Sequence, residues 1–339
     1  MTDSASPFAR PTRRTLLRGA AALAAAPLGL AGTAARAQAG FPSRPITWVV
    51  PYPAGGFGDA LSRMLAQKLS ASLGQPVVID NRPGAGGQIG ANFVKQQPAD
   101  GHTLFYGDLG PFSMNEGLYP KLSYDTLKDF MPLTRLLVSP TVLLVPASSP
   151  FQTFQDFVKA AQAGGKGLNY GSYGMGSQPH IWMEMLRGQI KGNLTHVAYK
   201  GGAPAVQDLM AGHIDALLDV APSAIPLVRE NKARALAVVG SDKRLPQLPK
   251  VPTIAELGMP ALNIPGWTGM VVRAGTPEPI ANRLHDELVK AVTAPDVVQR
   301  YTDLGLIVAP SSRAEFADLI RTETARWGQV IHQVGVKLE

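Results

Sequence analysis

Cysteine is absent from the 339-residue chain. That removes disulfides, thiolate nucleophiles, iron–sulfur clusters and Cys-based zinc sites together. It also frees the fold from the redox state of its compartment. Charge is sparse, at 17% of residues, and the formal net charge of +7 overstates the basic balance. Five arginines (Arg10, Arg13, Arg14, Arg18, Arg36) against Asp3 put +4 into the first 37 residues, and the remainder carries 27 basic and 24 acidic side chains. So weak a field, with no Lys/Arg run interleaved with aromatics, gives no case for nucleic acid as a partner. No segment after the leader is apolar enough to span a bilayer. Low complexity is missing too: the 35 glycines and 29 prolines are spread as single turns.

Catalytic signatures are equally scarce. There is no G-x-x-x-x-G-K-[ST] and no H-E-x-x-H, and neither Gly84-Ala85-Gly86 nor Gly174-Met175-Gly176 continues as G-x-G-x-x-G. No G-x-S-x-G elbow occurs. His180 and Glu184 lie four apart on a predicted helix, a lone pair that defines no metal site. No catalytic residue, metal or cofactor is expected.

What is present begins with an export leader over 1–37. A basic stretch, TRRTLLR at 12–18, precedes an Ala/Leu-rich run from Gly19 to Gly32 that is too short to span a membrane. Ala35-Arg36-Ala37 offers a cleavage site, with Ala37-Gln38-Ala39 a second choice. The paired Arg13-Arg14 look like a twin-arginine signal, with a general secretory signal as the alternative. The mature chain should be soluble in a bacterial periplasm.

Beyond the leader, short β-branched runs alternate with segments of helical spacing. Strands are expected at 46–51, 76–80, 103–107, 133–137, 142–145, 168–172, 194–199, 214–219 and 235–239. Helices are expected at 60–73, 91–97, 154–162, 179–190, 203–210, 278–293 and from 313 to 328 or beyond. A long extended segment covers 263–272. This alternation predicts an α/β protein with parallel sheets covered on both faces. About 300 residues exceed one comfortable core, so two lobes are expected. The chain should cross between them near 137–146 and 259–272, leaving a cleft at the strand ends. Three Gly-rich loops join a strand to a helix there: 53–59, 173–177 and 200–204. Each aims unpaired N–H groups at the positive end of a helix, which suits a carboxylate or phosphate. Ser177 can add a hydroxyl donor. Tight βα turns with Asp59 and Ser177 as N-caps are the plainer reading.

The stretches PYPAGGFGD at 51–59, QPVVIDNRPGAGGQIG at 75–90, DGHTL at 100–104, YGSYGMGS at 170–177, HVAYKGGAPA at 196–205, VPTIAELG at 251–258 and GTP at 275–277 resemble, in order, the Bug family. These are the periplasmic solute receptors of tripartite tricarboxylate transporters. The resemblance covers about 40–339. It implies a two-lobed Venus flytrap of the type II periplasmic-binding-protein fold, with lobe 1 from 38–138 plus 262–339 and lobe 2 from 139–261. It implies a small carboxylate, a di- or tricarboxylate or an aromatic one, held between the lobes and passed to membrane subunits of the transporter by a monomer. The candidate binding residues are Tyr52, Gly55, Gly56, Phe57 and Asp59 in the first loop, then Gly107 and Asp108. Tyr173, Gly174, Gly176 and Ser177 follow, with Tyr199, Gly201, Gly202, Ala203 and Asp219 completing the set. The chain departs from the family at Asp108, where small hydroxyl residues are common; an acid there would read a ligand amine or hydroxyl, or point to solvent. Tyr173, Phe57 and Trp182 hint at a bulky ligand. A sensor serving a signalling partner and an exported enzyme are the alternative functions.

Overall fold

The computed structural model describes residues 40–338, so the leader expected at 1–37 lies outside the described residues. Residues from Arg44 onward form one compact unit. Its order is β1 (Ile46–Val50), α1 (Phe57–Leu73), β2 (Val77–Asn81), α2 (Gln88–Lys95), β3 (Thr103–Asp108), β4 (Phe130–Ser139) and β5 (Thr141–Pro146). Next come α3 (Phe154–Gln162), β6 (Leu168–Ser172), α4 (Gln178–Ile190), β7 (Leu194–Ala198), α5 (Gly202–Ala211), β8 (Ala216–Val220), α6 (Ala221–Arg229) and β9 (Ala233–Val239). β10 (Gly266–Arg273), α7 (Glu278–Val292), α8 (Pro295–Asp303), β11 (Ile307–Val308) and α9 (Arg313–Val334) close the chain.

The strands form two sheets, one of six strands in the order β11-β4-β10-β3-β1-β2 and one of five in the order β7-β6-β8-β5-β9. Apolar β-branched runs buried on both faces build them, as in ITWVV of β1 and TVLLVP of β5. Helix boundaries follow local chemistry. Thr153 and Asp156 form a capping box at the start of α3, as Ser312 and Glu315 do at α9. Gly74 ends α1 in the left-handed region with φ 68°, its N–H bonded to the Ser70 carbonyl.

The expectation of purely parallel sheets is corrected. β1, β2 and β3 run parallel, as do β6, β7 and β8, but β10 is antiparallel to both β3 and β4, and β5 to both β8 and β9. The reason lies in the crossings. β4 ends at Ser139 in the six-stranded sheet, and β5 begins at Thr141 in the other after one proline. A chain that passes straight from one sheet into the next enters it against the direction set by the βα units. Two helices, α6 and α8, were not foreseen. α6 carries Pro222 in its first turn and Pro226 inside, and α8 starts on Pro295.

An aromatic core fixes one face of the six-stranded sheet. Phe112 packs edge-on against Phe105 with ring centroids 5.4 Å apart, and Trp267 meets Phe316 edge-on at 5.5 Å. α9 packs along this face and also against α4, which carries Ile181 into the same cluster. The five-stranded sheet has separate clusters on its two faces, one around Phe157, Tyr170, Trp182 and Leu186, the other around Val142, Leu144, Leu209 and Leu217.

Candidate functional site

The three Gly loops follow the C-terminal ends of β1, β6 and β7, and Gln178 of the second loop lies against Gly266 of the six-stranded sheet. Each lobe carries the same unit there. In the first, Tyr52 follows β1 and its hydroxyl donates to Asp108 Oδ2 at 2.6 Å. In the second, Tyr173 follows β6 and its hydroxyl donates to Asp219 Oδ1. In both loops the helix starts five residues after the tyrosine, at Phe57 and at Gln178. β1 pairs with β3 through Thr47 opposite Thr103, and β6 with β8 through Tyr170 opposite Ala216. Extending either register places the tyrosine opposite its aspartate.

Both acids are otherwise committed to their own lobe. Asp108 Oδ1 accepts the Gly110 N–H at 2.9 Å. Asp219, 2% exposed, accepts the Val220 N–H at 2.9 Å and the Ser223 hydroxyl at 2.5 Å. Burial pushes both carboxyls above their ordinary value, against the pull of these donors.

Several expected ligand donors are already engaged. The Gly55 N–H, expected to face a ligand, donates to Asp59 Oδ2 at 2.9 Å. Asp59 is the third residue of α1, and it also takes Arg63 Nε at 2.9 Å and Asn81 Nδ2 at 3.0 Å. The Arg63 bond holds its carboxyl below the usual range despite burial. Asp59 is thus a clamp for the first loop. In the second loop Gly174 N–H donates to Ser172 Oγ at 3.1 Å and Gly176 N–H to His180 Nδ1 at 3.0 Å. The Ser177 hydroxyl and N–H both turn back to the Gly174 carbonyl, at 2.7 and 3.2 Å. These donors close the turn, so Ser177 is neither a side-chain cap nor a free hydroxyl. Gly176 faces Leu118 and Leu338, since a Cβ there would lie within 3.1 Å of both.

Gly107 lies on the opposite face of β3 from Asp108, under Phe112, where a Cβ would fall 2.6 Å from the ring. It belongs to the core. Trp182 is fully buried and donates to the Leu262 carbonyl at 2.8 Å, so it is a packing residue. Tyr199 donates to Asp208 at 2.6 Å.

What remains open are the first-turn N–H groups of three helices. α1, α4 and α5 have Gly56, Ser177 and Gly201 as N-caps, and none makes a side-chain capping bond. The backbone donors of Phe57 and Gly58, of Gln178 and His180, and of Gly202 and Ala203 therefore lack intrahelical acceptors. The loops of α4 and α5 touch: a Cβ on Gly202 would lie 3.3 Å from the Tyr173 ring. Gly201 adopts φ 111°, a conformation that glycine alone takes without strain. Lys200, the cation of this loop, is exposed.

Beneath the second loop lies a pair that sequence reading did not foresee. The His180 and His196 rings stack 3.8 Å apart, and Tyr170 lies 5.1 Å from His196 and 6.5 Å from His180. His196 Nε2 is 2.6 Å from Ser172 Oγ. Burial lowers the pKa of both imidazoles, that of His180 to about 4, with the neighbouring His196 adding to the shift. The offset of His180 from Gly176 is the available sequence signal, an i+4 acceptor on a helix start. Among the described residues no group of three His, Cys, Asp or Glu could hold a metal ion; Glu184 instead accepts from Tyr170 and pairs with Arg187.

Two α/β lobes with strand-end loops gathered at their junction define the periplasmic-binding-protein class. Comparison with known proteins makes the assignment specific. The family model for the tripartite tricarboxylate transporter family receptor, TctC, matches residues 61–336, and the chain belongs to that family. It is 40% identical over 94% of both chains to the UPF0065 protein in the tcbD-tcbE intergenic region of Pseudomonas sp. strain P51. It is 32% identical to protein BugT of Bordetella pertussis, over 92% of this chain and 96% of that one. Among solved structures, R. palustris Rpa4515 with adipate superposes with a TM-score of 0.81 at 33% identity, covering 88% of this chain and all of that one. MatC of Rhodopseudomonas palustris with bound malate gives 0.76 at 34%, covering 86% and 100%.

Proposed function

We propose that this protein is a periplasmic receptor that captures a small carboxylate between its lobes and delivers it to the membrane subunits of a tripartite transporter. The observation that carries this reading is the set of three helix N-termini without side-chain caps, opening from both sheets at one junction. Each presents N–H groups and a partial positive charge, which together suit a carboxylate without any salt bridge. Relatives of this fold solved with adipate and malate support the ligand class. No helix among the described residues is long and apolar enough to cross a membrane. In this reading one lobe takes 38–138 with 262–339 and the other 139–261, and the division of the strands into a six-stranded and a five-stranded sheet supports two lobes. Phe57, Gly58, Gln178, Gly202 and Ala203 supply the backbone donors, Tyr52 and Tyr173 wall the site, and Asp108 and Asp219 hold the tyrosines.

Because the ligand touches both lobes, it shifts an open–closed equilibrium toward the closed form. Small-angle scattering with and without dicarboxylates of four to six carbons tests this. The radius of gyration should fall, and the melting temperature rise, with the same acids. Stabilisation of about 2.7 kcal/mol is expected at a hundredfold excess over Kd. Binding with unchanged scattering would contradict lobe closure.

A further inference from the structure

Four buried polar side-chain atoms around the lobe junction have no hydrogen-bond partner: Ser139 Oγ, Thr141 Oγ1, Gln178 Nε2 and Thr268 Oγ1. Ser139, Thr141 and Thr268 are each at most 5% exposed. Buried polar groups are nearly always paired, and leaving one unpaired costs as much as a lost hydrogen bond. Four such atoms near one place need a common reason.

The strand registers place them. Gly266 stands opposite Ser139, and Thr268 opposite Leu137 on one side and Asp108 on the other. Directly opposed residues share a face, and side chains alternate along a strand. Ser139, Thr268 and Asp108 therefore occupy one face of the six-stranded sheet, with Gly266 as the gap between them. Gln178 fills the space above that gap from the other lobe: a Cβ on Gly266 would lie 3.1 Å from its Oε1. Thr141, two residues after Ser139, stands opposite Val220 at the same end of the five-stranded sheet. Thr268 has the buried Tyr106 phenol beside it, within reach of its hydroxyl, so the two hydroxyls can face each other or a ligand. The strip runs from the first residue of α4 to the end of β3, bridging both lobes.

We infer that this strip reads the far end of the ligand, and that it selects a carboxylic acid whose other end bears a hydroxyl group. The inference rests on the carboxylate reading of the site. With the carboxylate at the helix N-termini, the Gln178 amide donates to the distal oxygen, and the Ser139, Thr141 and Thr268 hydroxyls accept or donate as needed. No lysine or arginine belongs to the strip. The Asp108 carboxyl, opposite Thr268, disfavours a second carboxylate and can accept from a hydroxyl. A site built to bond a hydroxyl rejects the analogue that lacks it, because its own buried groups then go unpaired.

Titration calorimetry at pH 7.5 with two series tests this: butanoate, 4-hydroxybutanoate and succinate, then hexanoate, 6-hydroxyhexanoate and adipate. In at least one series the hydroxy acid should bind about tenfold or more tighter than the plain acid, the worth of one good hydrogen bond. It should also bind tighter than the diacid. Ser139→Ala and Thr268→Val, which each remove one hydroxyl with little change in side-chain volume, should each erase the preference for the hydroxy acid while leaving the plain acid within about threefold, a change below one hydrogen bond. Equal binding of plain and hydroxy acids by the wild type means the strip is satisfied by water and overturns the inference. So does a preference that survives in both variants. A diacid that outcompetes the hydroxy acid overturns the assigned ligand chemistry. If none of the six acids binds, the carboxylate reading itself fails.

Discussion

The two lobes share one plan. Read from the outer parallel strand inward, β2-β1-β3-β10-β4 and β7-β6-β8-β5-β9 are the same arrangement, with the fourth strand antiparallel in each. Tyr52 with Asp108 and Tyr173 with Asp219 occupy matching positions. The lobes differ in what fastens the loop between strand and helix. In lobe 1 it is an ionised acid: Asp59 ties Gly55 to Arg63 and Asn81. In lobe 2 it is neutral: the His180 imidazole accepts from Gly176, and Ser172 braces Gly174. One backbone solution is thus held by a charge in one half and by uncharged rings in the other. The two halves should lose their grip under different conditions.

Acidification should separate them most strongly. The folded-state pKa of His180 is lowered to about 4, chiefly by burial, with His196 and Arg187 pushing the same way and Glu184 opposing. Its stabilising contribution is complete above the unfolded value near 6.5 and is lost as pH falls from there toward 4. A shift of that size corresponds to about 3 kcal/mol. Asp59 has its pKa lowered from the ordinary carboxylate value, so its contribution persists until pH drops below that value. Amide hydrogen exchange at pH 7 and pH 5 should show α4 and β6 losing protection before α1 and β1. His180→Leu should flatten the pH dependence between 6.5 and 4. Lobe 1 opening first would break the comparison.

A smaller difference lies in the tyrosines. Tyr173 donates to Asp219 and also accepts the Val220 N–H at 3.1 Å, whereas Tyr52 makes the single bond to Asp108. Each lost bond costs about 1 kcal/mol. Each variant should therefore lose about 1 kcal/mol in urea unfolding for the bond to its aspartate, and Tyr173→Phe more than Tyr52→Phe by less than a full bond, because the Val220 N–H keeps Asp219 Oδ1 as an acceptor. Equal losses would mean that the Val220 bond contributes nothing.

Much of this plan can be read along the chain. The runs before and after Ser139-Pro140 show as strands because both are apolar and β-branched, and the three Gly loops stand out by composition. Strand direction is not legible there, since alternation carries no sign; β5 and β10 look like any buried strand. Helix α6 is hidden by Pro222 in its first turn and Pro226 inside it, which read along the sequence as breakers. The site shows the same limit. Gly55, Gly174 and Gly176 are correctly recognised as turn residues, but their N–H groups serve Asp59, Ser172 and His180. Those partners are set by side-chain direction, which spacing does not encode. Gly107 and Asp108 are neighbours in sequence yet face opposite sides of β3, so one belongs to the core and the other to the junction. Gln178 carries no signal of its own because its role depends on Gly266, eighty-eight positions away.

The central claim is that uncharged donors at helix N-termini hold a carboxylate. Titration calorimetry of the mature chain with a bound acid and with its primary amide, on wild type and Lys200→Ala, tests it directly. The acid should bind at least about tenfold tighter than the amide, as bonds to a charged group exceed those to a neutral one. Lys200→Ala should change acid affinity by less than about threefold, because exposed pairs are weak. An amide that binds as tightly as the acid, or loss of binding in Lys200→Ala, would contradict it.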